Sequence, residues 1–314
     1  MRPAFGGALG TDTGIQMNRS IYKSIHELKG FSIKGCPAMP APSRVLMCPP
    51  DHFDVLDVKN PYMAGHVGGV DRKLAREQWE RVREAFQAAG KPVSLIPPVS
   101  GLEDMVFCAN QTFVGTTPKG ERVCLLGAMR HPSRRREVAA FDAWFREEGY
   151  RVVSLKDKDV SFEGAGDAVW HPGKRLIWGG HGFRSQPKAY EDVARVFEAP
   201  VILLKLVHER FYHLDTCFCP LTSEAVLIYP SAFDSESLEL ILKMFPIVLT
   251  ASETDAAARM ACNAAVVDAK RAILHPGSSA ARHMAALGLE VVEVDTSEFL
   301  KSGGSVYCMK MMLY

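Results

Sequence analysis

Two textures alternate along the chain: short β-rich runs bounded by proline, glycine and polar residues, and longer segments with a helical period. RVLMCPP reads as a strand. Residues 71–89 then place Leu74, Trp79, Val82 and Phe86 on one face of a helix that Gly90 ends, and VSLIPP follows as a strand. Downstream, FCANQTFVGTTPKGERVCLLGA is two apolar runs joined by a Pro/Lys/Gly turn, the pattern of a hairpin. AGDAVWHPGKRLIWGG, HLDTCFCPLTSEAVLIYP and ACNAAVVDAKRAILHP repeat that plan. Helical segments are expected after them, at 133–148, 187–197, 235–244 and 278–287, and a last strand at CMKMML.

A polar residue opens each hairpin: Asn110, Asp167, Asp215 and Asn263. With Asn60 before them and Cys308 after, polar positions recur at roughly fifty-residue intervals, a period expected of repeat architectures. Asn and Asp are also favoured at turns for their own backbone hydrogen bonds. Several of these residues, however, stand inside or beside apolar runs, where an unpaired polar group costs on the order of a few kcal/mol. Repeats arranged around an axis would gather them into one polar pocket.

Composition narrows the partners. The chain has 314 residues, 47% apolar and 23% charged, enough for one large domain or two ordinary ones. Net charge is +1 with scattered basic residues, and the run Arg134-Arg135-Arg136 reads as a solvated helix face, so no nucleic-acid partner is expected. No apolar run approaches the roughly 18 residues of a membrane span. The first residues lack the apolar core of a secretory signal, so a cytoplasmic location with eight reduced cysteines is expected. Residues 1–40, with GGALGTDTG and little periodicity, are expected to form a poorly ordered extension, and 41–314 a single catalytic domain starting near Arg44.

Candidate chemistry comes from three places. Cys308 follows KSGGSVY, whose glycines let backbone approach a ligand closely. In FYHLDTCFCPL, His213 and Asp215 would share one face of a strand, and an imidazole beside the thiol would favour its reactive thiolate. In FEGAGDAVW, Glu163 is followed by Gly164 and Gly166. A thiol among carboxylates suits a cationic, planar substrate. A metal site from His208, His213, Cys217 and Cys219 is disfavoured by the tight C-x-C spacing, and no cofactor is required.

Together FEGAGDA, HGFRS, FYHLDTCFCPL and the terminal GGSVYC resemble the guanidino-group-modifying superfamily: arginine deiminases, dimethylargininases and amidinotransferases. The resemblance implies an α/β pentein fold, a five-bladed α/β propeller of ββαβ modules with pseudo-fivefold symmetry around a central active site. LMCPPDHFDV, VKNPYM and DMVFCAN are most similar to cyanobacterial-type arginine dihydrolases, which take arginine to ornithine, carbon dioxide and two ammonia. By that resemblance Cys308 is the nucleophile, His213 the general acid and base, and Glu163 the carboxylate that orients it. Asp215 would grip the guanidinium and Arg184 the substrate carboxylate. Asn60 and Asn110 would hold the amino-acid and guanidino ends, with Asp104 a further pocket member. Deiminases commonly carry an aspartate near the position of Asn110, so the neutral residue fits the dihydrolases. The implied partner is a small molecule, L-arginine or a methylated arginine, with a homo-oligomer left open. Dimethylargininase or deiminase activity ending at citrulline is the alternative. A non-catalytic, ribosome-binding lineage of the fold would not need Cys308, His213 and Glu163 together.

Overall fold

The computed structural model describes residues 20–314. β1 (Ile21–Tyr22) precedes β2 (Arg44–Met47), the helix Arg72–Ala88 and β3 (Val93–Leu95). Four units of one plan follow, each a hairpin, a helix and a third strand. The first two contribute β4 (Thr112–Thr116), β5 (Arg122–Leu126) and β6 (Arg151–Val153), then β7 (Ala168–Trp170), β8 (Ile177–His181) and β9 (Val201–Lys205). The next two contribute β10 (Phe218–Pro220), β11 (Ala225–Ile228) and β12 (Ile247–Thr250), then β13 (Ala265–Val267), β14 (Arg271–Leu274) and β15 (Glu290–Glu293). β16 (Met311–Leu313) comes last.

In each unit the first two strands pair antiparallel and the third runs parallel to the second. A tight turn suffices for the first pairing, whereas the parallel one needs a crossover, which the helix supplies. β16 pairs antiparallel with β2, which pairs parallel with β3, so the same plan is assembled from distant parts of the chain. Five mixed sheets result, and β1 adds a fourth strand to the one containing β7, β8 and β9.

All four expected hairpins form. Helices Glu137–Glu147, Ala189–Phe197, Ser235–Met244 and Ala280–Ala286 lie inside the expected segments. The helix Arg72–Ala88 starts where Asp71 Oδ1 accepts from the amides of Lys73 and Leu74, both at 3.0 Å. Its buried Trp79, Val82 and Phe86 contribute about 1.5–3 kcal/mol each by leaving water.

The amino-terminal segment differs from expectation where it is described. Residues 1–19 lie outside the described residues. From Ser20 onward the chain packs on the body: Ile21 pairs with Val201, Tyr22, Leu28, Cys36 and Met39 are buried, and the Met39 amide donates to the Gly173 carbonyl at 3.2 Å. Single apolar residues at irregular spacing anchor this stretch, so no period marks it. No helix among the described residues is long and apolar enough to cross a membrane.

Candidate active site

The recurring polar residues sit on short turns just ahead of the hairpins. Asn60 caps the turn Pro61–Met63, its Oδ1 accepting from the Tyr62 amide at 2.9 Å. Glu163 and Asp167 bracket the helical turn Gly164–Asp167, and Asn263 closes the turn Ala261–Asn263. Asp215 lies within the turn Leu214–Thr216. His213 and Asp215 therefore do not share a strand face as alternation suggested. Thr216 Oγ1 donates to the His213 carbonyl at 2.6 Å, stabilising the turn, and β10 begins only at Phe218. The turn sends His213 to Glu163 and Asp215 to Cys308.

At the sulfur, Cys308 Sγ donates to Asp215 Oδ2 and accepts from Asn263 Nδ2, both at 3.2 Å. Asn263 is a bracket for this corner. Its Nδ2 also donates to the Asp215 carbonyl at 3.0 Å, and its Oδ1 accepts from the amides of Ser305 at 2.9 Å and Cys308 at 3.2 Å. Burial first, and then the Asp215 carboxylate beside it, push the Cys308 thiol well above its ordinary range. Burial likewise raises Asp215 to about 7, against the hydrogen bond from Cys308 and the charge of Lys310. Asp215 Oδ1 is buried with no hydrogen-bond partner among the described residues.

His213 Nε2 lies 2.7 Å from Glu163 Oε2, which also accepts from Arg184 Nη1 at 3.0 Å. Burial works to raise Glu163, but the His213 hydrogen bond and the Arg184 guanidinium outweigh it and hold the carboxyl far below the usual range. Arg184 is fixed twice more, donating to the Lys59 carbonyl at 2.8 Å and lying 4.7 Å from the centre of the Tyr212 ring. His213 makes no hydrogen bond to Cys308 among the described residues; the sulfur's partners are Asp215 and Asn263.

A third group surrounds Asn110, whose Oδ1 accepts from Arg134 Nη1 at 2.8 Å. Arg134 is also paired with Glu137 at 3.0 Å and lies 3.8 Å from Asp104, which pairs with Lys59 at 3.2 Å. Asn110 Nδ2 is buried and unpartnered among the described residues. Asn60 Nδ2 donates to the Ser302 carbonyl at 3.0 Å and meets Tyr212 Oη at 3.3 Å, while Tyr212 Oη donates to the Gly303 carbonyl at 2.8 Å. Two glycines keep these groups apart. Gly303 has φ +78°, and a Cβ there would stand 2.9 Å from both Asn60 Oδ1 and Tyr212 Oη. A Cβ on Gly166 would stand 2.5 Å from Asn110 Nδ2 and 3.2 Å from the His213 ring.

Asn60, Asp104, Asn110, Arg184 and Cys308 line one narrow cavity, and His213, Glu163 and Asp215 are bonded to its walls. Lys59, Arg134 and Tyr212 complete its lining and were not among the expected site residues, while Asn263, one of the recurring polar positions, joins the site through its bond to Cys308. Arg134 corrects the reading of a solvated triple-arginine face. Arg135 and Arg136 are exposed, but Arg134 is turned inward and buried against Glu137, three residues on. That i, i+3 carboxylate was the signal in the sequence. Cys217 and Cys219 pack in the core, bonded to main-chain carbonyls, and His208 stacks edge-on against Phe211.

Asp215 gives a stability test. Its carboxyl stays protonated up to about pH 7 in the fold but only to about pH 4 in an unfolded chain. The folded state binds more protons between those values, so this residue's contribution to stability falls as pH rises through that window. Asp215→Asn should raise the unfolding temperature at pH 8, by the equivalent of a few kcal/mol, and change it little at pH 4. Calorimetry at both pH values checks this, and an equal shift at both would remove the explanation.

Comparison with known proteins gives consistent matches. The family model for eukaryotic N,N-dimethylarginine dimethylhydrolases matches residues 63–314. The bifunctional arginine dihydrolase/ornithine cyclodeaminase ArgZ of Synechocystis sp. is 39% identical over 270 residues. That match covers 85% of this chain but only 37% of ArgZ, so the chain spans little more than a third of that relative. The N(G),N(G)-dimethylarginine dimethylaminohydrolase of Mycobacterium tuberculosis is 35% identical over 283 residues, 89% of each chain. Among solved structures, the N-terminal domain of ArgZ, a cysteine-to-serine variant bound to substrate, superposes with a TM-score of 0.81 at 38% identity, covering 85% of this chain and 97% of that one.

Proposed function

The chain belongs to the N,N-dimethylarginine dimethylhydrolase family, and from that premise we propose that it is a cysteine-dependent hydrolase of the guanidino group of free L-arginine. Its products are ornithine, carbon dioxide and two ammonia. The relatives supporting this reading are hydrolases of guanidino carbon–nitrogen bonds, and the similarity to ArgZ tips it toward the dihydrolase. The five sheets are blades around a pseudo-fivefold axis, and residues 41–314 form one catalytic domain with the site at its centre. The likeness of the chain to the N-terminal domain of ArgZ favours this arrangement.

The single observation that carries the dihydrolase reading is the orientation of Asn110. Arg134 occupies its Oδ1, which leaves Nδ2, a buried donor without a partner among the described residues, beside the cavity that Cys308 lines. A guanidinium offers only donors, whereas the ureido group of citrulline offers a carbonyl oxygen. A neutral amide donor next to a carboxylate serves both.

With the bound cation offsetting the Asp215 charge that disfavours a thiolate, the Cys308 thiol proton moves to the His213 imidazole and Sγ attacks the guanidinium carbon. The tetrahedral centre collapses as His213 protonates the departing ammonia, leaving a thiouronium on the sulfur. His213 then takes a proton from water, whose attack on that carbon releases the thiol and citrulline. In the second cycle the sulfur attacks the ureido carbon and expels the second ammonia. Water cleaves the resulting thiocarbamate to a carbamate, which loses carbon dioxide to give ornithine. Asp215 holds guanidinium nitrogens and stabilises the charge on them, Glu163 orients His213, and Arg184 pairs with the substrate carboxylate. Asn60 holds the amino-acid end, and Asp104 keeps Lys59 and Arg134 in place at the cavity wall.

The second reading is hydrolysis of methylated arginine with citrulline as the final product, favoured by the family model and by the relative matched along 89% of its length. Incubation with L-arginine, measuring ammonia, citrulline and ornithine together, separates the two. Two ammonia per ornithine without accumulating citrulline is expected. One ammonia per citrulline would reduce the protein to a deiminase, and turnover of methylarginines alone would establish the second reading. Asn110→Asp should lower the ornithine-to-citrulline ratio roughly ten- to a hundredfold, the effect of about 1–3 kcal/mol for a lost buried donor. An unchanged ratio would remove Asn110 from the explanation.

A further inference from the structure

Behind the candidate site lies a larger cavity of about 530 Å³, and none of its lining residues lines the first. The segment around Cys308 separates the two: Cys308 faces the narrow cavity, while Tyr307, Lys310 and Met311 face the large one. Its walls are mostly apolar, including Phe113, Val169, Trp170 and Val266. Asp268 is the one acidic side chain in this lining among the described residues, and it is already paired with Lys91 at 2.8 Å. Lys174 is engaged with the main-chain carbonyls of Lys34 and Cys36, at 3.3 and 3.1 Å.

Lys310 is the exception in this lining. It is only 3% exposed, and its Nζ lies 3.1 Å from the centre of the Tyr307 ring. No hydrogen bond or ion pair among the described residues involves that Nζ. A buried amine with three donors and only a ring face for company is costly unless an acceptor reaches it. Burial, opposed by the charge of Asp215, pulls Lys310 down to about 7, as expected for an ammonium held without an acceptor. The surface around it carries positive charge in excess and has ample apolar area for a hydrocarbon body.

We propose that this cavity is a second binding site, for a small amphipathic carboxylate whose head pairs with Lys310 and whose apolar tail lies along Trp170, Val169 and Val266. Binding requires no turnover, so its outcome is independent of the reaction assigned to Cys308. The chemistry demands an anion at one end and an apolar chain or ring with no polar group at the other, which neither free arginine nor citrulline provides.

Calorimetric titration of the full chain with octanoate, 1-octanol and octylammonium tests the site. Saturable one-to-one binding of octanoate is expected, with octanol and octylammonium at least tenfold weaker. Lys310→Met, which substitutes an apolar chain of similar length, should weaken octanoate at least tenfold, whereas Lys91→Met should leave it within about twofold. Equal affinity for octanoate and octanol would mean an apolar hole with no carboxylate recognition and would overturn the proposal. So would undiminished octanoate binding by Lys310→Met, or no saturable binding by the unmodified protein. Circular dichroism of both variants confirms that a loss of affinity is not a loss of fold.

Discussion

Cys308→Ala should abolish ammonia release from arginine, a loss on the order of 10⁵-fold or more, because every bond-breaking step passes through that sulfur. The change removes one atom from a residue 3% exposed and takes from Asp215 Oδ2 its hydrogen-bond donor, a cost of about 1 kcal/mol. Asn263 keeps its bonds to the Asp215 carbonyl and to the amides of Ser305 and Cys308, none of which needs the thiol. The fold should therefore survive with a stability change of about 1 kcal/mol, and loss of activity will report chemistry alone. The other seven cysteines are all buried, and none lines the narrow cavity, so none can substitute. Mass spectrometry after an acid quench should find the substrate-derived adduct on Cys308 of the unmodified protein and none on the variant. Measurable turnover by Cys308→Ala would end the covalent reading, and silence of both proteins on every guanidino compound would favour the non-catalytic class.

His213→Ala should cost about 10³–10⁴ in kcat while leaving KM within a few-fold, as expected for a proton-transfer group that does not hold the ground state. Glu163 remains paired with Arg184 at 3.0 Å and accepts from the Arg130 amide at 3.0 Å, so removing the ring leaves no buried charge alone. Added imidazole should restore part of the rate by occupying the ring's place. If the variant instead changed KM with kcat intact, His213 would be a binding residue and the acid–base assignment would fall. The absence of a direct His213–Cys308 hydrogen bond sharpens this expectation: the ring serves the leaving nitrogen and the incoming water, and a cationic ligand favours the thiolate. Alkylation of Cys308 should accordingly be slow in the free protein.

Much of the fold could be read from periodicity because local pattern and tertiary packing agree. The helix after Asp71 has its cap, its apolar face and its terminating Gly90 in sequence order. The four hairpins each carry a turn signal between apolar runs. Cys308, His213 and Glu163 stood out because reactive residues were placed among glycines or apolar neighbours. Other members of the site were hidden for physical reasons. Arg134 looks like its exposed neighbours until Glu137 and Asn110 are seen to meet it across 3 and 24 residues. Lys59 gains its place from Glu103 and Asp104, in a different unit. Asn263 stood out as one of the recurring polar positions, but nothing local showed that its turn aims the amide at a sulfur 45 positions away. Alternation failed at His213 because it presumes an extended strand, and the turn that replaces the strand is stabilised by a side-chain bond from Thr216.

The pairing of β16 with β2 has a consequence in time. The Ser43 amide donates to the Leu313 carbonyl at 2.8 Å, and the two residues are 270 positions apart. At roughly 5–20 residues per second of synthesis, β2 waits on the order of 15–50 s for that partner. Until it arrives, one edge of the first sheet is unpaired, and an open strand edge is a place where chains join wrongly. Cys308 is carried in with the same last segment, so the reactive thiol is delivered only as the first sheet is completed. On the proposed mechanism, a nascent chain would have its acid–base arm and its carboxylates before it has its nucleophile. Assembly thus withholds the proposed chemistry until the first sheet closes.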